Sequence, residues 1–264
     1  MNKGLRNTLS TVLPPVLVLI ALLVIWAGAV AIFKPPPFIL PGPARTINAA
    51  IVNVEKLKIG LRNTFIESVI GIITATFIGV LASILMSLSR HLERAFFPWA
   101  VVLQTTPVVA IAPLIVLWVG PGVISVIIIT FIIALFPILA NTLMGLVSTD
   151  KALIDLLRMQ GASKFTIFWK IQIPSALPYF FTGLRISAGL GVIGAIVGEM
   201  TVGRGGKEAG LGYYVMFSST QLKTDFLFST ILLSTSLGVA FFIVAYIASW
   251  LVLRKWHESV VTTE

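Results

Sequence analysis

The chain has no cysteine and only two histidines, His91 and His257. Disulfide staples and thiolate metal sites are therefore excluded. The histidines stand far apart at the ends of apolar runs, and neither has the neighbours of a metal or acid–base centre. Charge is scarce too: 11% of residues are Asp, Glu, Lys or Arg, against about a quarter in a soluble domain. With 57% of the 264 residues hydrophobic, so few charges cannot coat a soluble body, and much of the surface must face lipid. The charge that is present runs positive, with 19 Lys and Arg and a formal net charge of +9. In a soluble protein that balance would point to nucleic acid, but no basic stripe with interleaved aromatics is present. The cations mostly flank apolar runs, where anionic headgroups and membrane orientation account for them.

A helix needs about 20 mostly apolar residues to cross the hydrocarbon. Six stretches meet that measure, at about 12–33, 65–88, 97–119, 123–144, 177–198 and 226–253. They predict an all-α membrane protein with one transmembrane domain over residues 1–264. The first stretch follows Lys3 and Arg6 and is longer than the ~7–15 apolar residues of a signal peptide. No small-residue cleavage site precedes Pro35-Pro36-Pro37, so a retained span is expected. The third and fourth stretches meet at Gly120-Pro121-Gly122, a turn too short to hold a domain. Trp26, Trp99, Trp118, Trp250 and Trp256 lie in or near the spans, as an aromatic belt would place them. Lys and Arg divide almost evenly between the two faces, so charge alone does not orient the chain. The loop 34–62 opens on a stiff proline run. Its stretch Thr46–Leu57 is either a short amphipathic helix on the bilayer surface or an irregular loop.

Between the fourth and fifth stretches, residues 148–175 form a polar loop with apolar side chains set among its charges. Leu156, Leu157, Phe165, Ile167, Phe168 and Trp169 fall on either side of Gly161. The pattern predicts two short helices joined at the glycine, which permits a sharp turn where a side chain could clash. Pro174 and Pro178 stiffen the entry to the next span. Short apolar helices that do not span suit docking into a partner's groove, or lying on lipid.

Asp155-Leu156-Leu157, then Gly161-Ala162-Ser163, then Ile171-Gln172-Ile173-Pro174 follow the spacing of the cytoplasmic loop of binding-protein-dependent ABC permeases, which reads Glu-Ala-Ala, glycine, Ile-x-Leu-Pro. Asp155 stands for the Glu, Leu-Leu for Ala-Ala, and Ile173 for the Leu, so the details of docking depart from the common pattern. Thr106-Pro107-Val108-Val109-Ala110, Leu117-Trp118-Val119-Gly120, Phe136-Pro137-Ile138-Leu139-Ala140-Asn141-Thr142, Gly183-Leu184-Arg185, Glu199 and Gly210-Leu211-Gly212-Tyr213 continue the likeness in order. The sequence thus resembles the nitrate/sulfonate/taurine branch of that family over nearly its whole length. The resemblance implies the type I ABC importer permease fold, with a second permease copy as a homodimer partner. It also implies two ATPase subunits carrying the ATP and Mg, and a periplasmic or lipid-anchored solute-binding protein. No cofactor or metal is expected on this chain. The location implied is the bacterial cytoplasmic (inner) membrane, with both termini cytoplasmic.

On that reading, force crosses at Asp155, Arg158, Gly161, Ala162, Ser163, Phe165, Phe168 and Pro174. Gln104, Thr105 and Thr106 before Pro107, and Asn141 in the fourth span, either line a watery path or glue helices together. Arg185, inside the fifth span, calls for a structural partner or a solute contact. Glu199 closes that span as a gate, a dimer contact or an interfacial charge, and Glu67 opens the second span at the interface. The solute would be a small nitrate-, sulfonate- or taurine-like anion or a vitamin-precursor-like compound. A secondary transporter or channel working without an ATPase is the alternative, though it offers no role for the Asp155 loop. Gly189-Leu190-Gly191-Val192-Ile193-Gly194 matches a dinucleotide fingerprint in letters only. It lies within an apolar span with no strand before it, where close helix packing is the better account.

Overall fold

The computed structural model describes residues 3–254; the side chains of Lys3 and Arg6, and the whole of Lys255, Trp256 and His257, lie outside the described part. The regular structure among the described residues is all helical, with no strand among them. In order the helices are α1 (Lys3–Phe33), α2 (Pro43–Val52), α3 (Val54–Leu88), α4 (Arg90–Thr105), α5 (Val108–Val119) and α6 (Val123–Val147). There follow α7 (Lys151–Met159), α8 (Lys164–Ile167), a π-helical turn Phe168–Gln172, α9 (Ile173–Val202), α10 (Leu211–Thr220) and α11 (Thr224–Leu253). Five helices are long and apolar enough to cross a membrane, or six if α4 and α5 count as one broken span. The chain is an all-α, multi-pass membrane protein.

The stretch expected as one span over 97–119 is two helices, α4 and α5, meeting at 98°. The break sits at Thr106-Pro107. Proline has no N–H to give and its ring clashes with the carbonyl four residues back. It also drives the preceding residue out of the helical region, and Thr106 is extended at φ −72°, ψ 126°. In loop 34–62, the helical alternative holds for most of the stretch: α2 runs from Pro43, whose ring suits a first turn, to Val52. Asn53 ends it, its side-chain amide donating to the carbonyl of Ala49 at 2.9 Å.

The described chain forms two compact units. One holds the residues up to Lys58 together with Tyr214–Leu232, and the other holds Ile59–Tyr213 together with the residues from Leu233 onward. In the first, Trp26 Nε1 donates to the carbonyl of Pro41 at 3.0 Å, and its ring stacks on Phe228 at 5.7 Å. The Ser229 hydroxyl donates to the carbonyl of Thr46 at 2.6 Å. These bonds fasten α1, α2 and the start of α11.

The second unit is built on the α6–α9 hairpin. Along it Gly145 meets Ala176, Gly183 meets Pro137 and Ile138, Gly194 meets Thr130, and Gly198 meets Val126, so the helices run antiparallel. A Cβ at Gly194 would sit 2.9 Å from Thr130 Cα, and one at Gly198 would sit 3.0 Å from Val126 Cα. Close packing through small residues, not nucleotide binding, is what the glycine-rich run in α9 does. In lipid there is no hydrophobic drive between helices, so such backbone approach and cross-helix hydrogen bonds carry the association. Two of those bonds are buried: Ser187 to the carbonyl of Ala134 at 2.6 Å, and Ser83 of α3 to that of Leu139 at 2.8 Å. Ile72, Ala75, Ala134 and Ile138 make the core where α3 joins the hairpin.

Candidate functional site

The loop between α6 and α9 is an elbow stopped and restarted by local hydrogen bonds. Asp150 caps α7, its side chain accepting from the N–H of Ala152 at 2.8 Å. At the other end Gly161 stands at φ +81°. Its N–H donates to the carbonyl of Arg158 at 3.0 Å, and the next N–H, of Ala162, donates to that of Leu157 at 2.9 Å. This is the paired closure of a Schellman turn, which needs a left-handed residue at the glycine. A Cβ there would meet nothing within 4 Å. The expectation that a side chain would clash is thus corrected: the demand on Gly161 is its backbone angle, not space. Ser163 then caps α8, accepting from the N–H of Thr166 at 3.1 Å. From there α8 and the π-helical turn lead without a gap into α9, with Pro174 its second residue, directly after the π-helical turn, where a proline's missing N–H interrupts the regular helical bonding.

The elbow is open on its surface. No residue of α7 is buried, and Leu156, Met159, Phe165 and Trp169 are all more than half exposed, Met159 at 87% and Phe165 at 71%. The rings of Phe165 and Phe168 both pack on Trp169, at 6.0 and 5.9 Å. Ile167 is the residue of α8 that is buried. Asp155 and Arg158 pair at 3.4 Å with both side chains mostly in solvent, a contact worth little to stability.

The polar residues proposed for a path fall in different places. Gln104, Thr105 and Pro107 are exposed at the α4–α5 break and Thr106 is half-buried. Both threonine hydroxyls donate back to their own helix, Thr106 to the carbonyl of Val102 at 2.6 Å. Asn141 instead lies in the α6–α9 contact, its amide donating to the carbonyl of Pro137 at 2.8 Å. Arg185 is half-buried. Its guanidinium donates to the carbonyl of Phe181 at 3.3 Å and to Thr182 at 3.4 Å, and lies 5.9 Å from the Tyr246 ring centre.

Glu199 is buried at 4% exposure and holds the end of α9 to the chain that follows. The Thr64 hydroxyl donates to one carboxylate oxygen at 2.6 Å, and the N–H of Gly212, at the start of α10, donates to the other at 2.6 Å. The N–H of Leu211 closes the set by donating to Thr64 Oγ1 at 2.9 Å. Gly210 and Gly212 press so close that a Cβ at either would run into Glu199. Asn63 adds amide bonds to the carbonyls of Lys207 and Ala209. Glu67, expected at the membrane interface, is instead buried at 4% exposure and lines the same small cavity as Glu199. Sequence reasoning missed this clamp because Thr64 and Glu199 lie 135 residues apart.

Among the described residues no group of three or more His, Cys, Asp or Glu is placed to hold a metal. Residues 67–258 match the family model described as binding-protein-dependent transport system inner membrane component. Three relatives align over most of both chains. The formylaminopyrimidine transport permease protein ThiX of Halalkalibacterium halodurans is 37% identical over 86% of this chain and 89% of its own. A Haemophilus influenzae protein named "Probable ABC transporter permease protein" is 32% identical over 92% and 96%. The riboflavin transport system permease protein RibX of Chloroflexus aurantiacus is 30% identical over 91% and 89%.

Proposed function

The chain belongs to the family of binding-protein-dependent transport system inner membrane components and is a permease subunit of an ABC importer, and from that premise we propose that its α7–α8 elbow is where an ATPase subunit docks. The observation that carries the proposal is the exposed row Leu156, Met159, Phe165 and Trp169 on helices that do not span. Apolar side chains on a short helix, ringed by Asp155, Arg158 and Lys164, suit insertion into a partner's groove. Gly161, Ala162 and Ser163 set the angle between the two helices, and Pro174 hands that angle to α9. ATP and Mg then belong to the ATPase, and this chain hydrolyses nothing.

A second copy of the chain pairs with the first, and each carries one ATPase. The elbow and both termini face the cytoplasm of a bacterium, so a periplasmic or lipid-anchored binding protein delivers solute to the opposite face. Gln104 and Thr105, exposed beside the Pro107 break, and the half-buried Thr106 line the path between the copies. An irregular backbone in a membrane is tolerated where it faces protein or a watery cavity, and this supports that assignment. Asn141, Arg185 and Glu199 have partners within the chain, which supports holding roles for all three. The solute is a small nitrogen heterocycle of the vitamin-precursor kind; the names of the ThiX and RibX relatives support this class over small inorganic anions.

The test is reconstitution of the chain in vesicles with and without its ATPase and binding protein. Uptake of a labelled pyrimidine or flavin is expected only with both partners and ATP. Uptake in the absence of any ATPase would sink the reading in favour of a secondary transporter.

A further inference from the structure

The unit that contains α1, α2 and Tyr214–Leu232 carries an open cavity of about 440 Å³, with Lys56, Lys223, Phe217 and Phe226 among its lining residues. Lys56 Nζ lies 6.0 Å from the centre of the Phe226 ring, and Lys223 Nζ lies 5.7 Å from that of Phe217. Lys56 also donates to Asn53 Oδ1 at 3.2 Å. Among the described residues neither lysine is in an ion pair, whereas Lys58, two residues after Lys56, is paired with Glu55 at 2.8 Å. The acid in the wall, Asp225, is turned to its own backbone, accepting from the N–H of Phe226 at 2.8 Å. The cavity therefore keeps a positive excess and the amides of Asn48 and Asn53 as hydrogen-bonding groups.

Two further observations bear on what fills it. Lys56 is in the first turn of α3, and Lys223 directly precedes α11. Both helices are long and apolar enough to span, so the lysines flank the spans on the side of the lipid headgroups. Around the cavity the unit is apolar and uncovered. Ile47, Ile51 and Val52 of α2 are 61–73% exposed, and no residue of the apolar window of α1 is buried. A water-soluble anion would use the lysines and leave that apolar strip unexplained. An acidic protein loop would do the same. A ligand with an anionic head and hydrocarbon tails uses both.

We propose that this cavity binds the phosphate of an anionic phospholipid headgroup between Lys56 and Lys223, with the acyl chains against the exposed side chains of α2 and α1. Basic pockets flanking spans recognise headgroups in this manner, each cation adding to the attraction. The site is independent of the elbow and of any ATPase.

Native mass spectrometry of the full-length permease, titrated with phosphatidylglycerol and with phosphatidylcholine, tests it. Phosphatidylglycerol is expected to be retained over phosphatidylcholine. The double variant Lys56→Gln/Lys223→Gln should weaken its retention roughly thirtyfold, while Lys56→Arg/Lys223→Arg restores it and Lys58→Gln changes nothing. All three lysines are exposed, so the variants should fold. Equal retention of the two lipids, or full retention in the double Gln variant, would overturn the proposal. So would displacement of the lipid by millimolar inorganic phosphate, which would assign the cavity to a free anion, or by an acidic peptide, which would assign it to a protein loop.

Discussion

A substitution series at Gly161 separates the backbone account of the elbow from a steric one. The glycine holds φ +81° and closes α7 through the N–H groups of Gly161 and Ala162. An L-residue forced into the left-handed region costs about 1–2 kcal/mol. Asparagine is the residue that tolerates the region best after glycine. With 1–2 kcal/mol against the closed turn, its population relative to open forms falls by about five- to thirtyfold. The order of function expected is therefore Gly, then Asn, then Ala, then Val. A Cβ at this position meets nothing within 4 Å, so side-chain volume by itself should not rank the series. The assay is co-purification of the ATPase with each variant, followed by solute-stimulated ATP hydrolysis in vesicles. Thermal unfolding of the permease should stay nearly level across the series, because α7 buries no residue. If Ala functions better than Asn, or if Val matches Gly, the Schellman turn is not what sets the docking angle.

Glu199→Gln should destabilise the α9 end of the second unit. An amide turns N–H groups toward either the Thr64 hydroxyl or the Gly212 N–H, and leaving such a buried donor unpaired costs about 1–3 kcal/mol. Limited proteolysis of 203–212 and the unfolding midpoint in detergent would both register it, and an unchanged midpoint would refute the clamp. Within α9, Gly194→Ala should cost about 1–3 kcal/mol by overpacking against Thr130. Gly189→Ala, where a Cβ meets nothing within 4 Å, should be neutral or slightly stabilising, since glycine inside a helix costs about 0.5–1 kcal/mol relative to alanine. Equal effects of the two substitutions on the unfolding midpoint would mean that the hairpin is not held by close backbone approach.

The elbow was legible in the sequence because its signals are local. Gly161 stops one helix, Ser163 starts the next, and both act through bonds no more than five residues long. Five of the six expected spans were legible for a similar reason, since hydrocarbon thickness sets a length that composition reveals. The bend at Pro107 was only half legible. Pro113 and Pro137 lie inside uninterrupted helices, and the sequence by itself does not say which proline breaks a span. At Pro107 the missing N–H leaves the carbonyl of Leu103 without its helical partner, while the two preceding threonines turn their hydroxyls back onto the carbonyls of Val101 and Val102, and the helix ends there. The burial of Glu67 and Glu199 was not legible at all. Both stand near charged residues at span ends, where exposure is the ordinary outcome, and what buries Glu199 is a loop whose glycines make room for its carboxylate.

These features bear on how a push at the elbow would travel. The α8 helix and the π-helical turn run directly into α9, so no flexible joint lies between the proposed docking surface and the span. Along α9, glycines at 183, 191, 194 and 198 leave no room for a side chain against α6 or α3, and close-packed elements shift as bodies because their interfaces do not deform gradually. The far end of α9 is in turn bolted to Thr64 of α3 and to the start of α10 by the Glu199 carboxylate. A rotation of the elbow must therefore carry α3, α6 and α9 together. The broken pair α4–α5 packs on that body through apolar contacts, Ala100 against Leu139 and Leu143, and Ala112 and Ile115 against Ile129. Under the proposed pairing of two copies, its face at Gln104–Thr106 is where their relative movement would open or close a path.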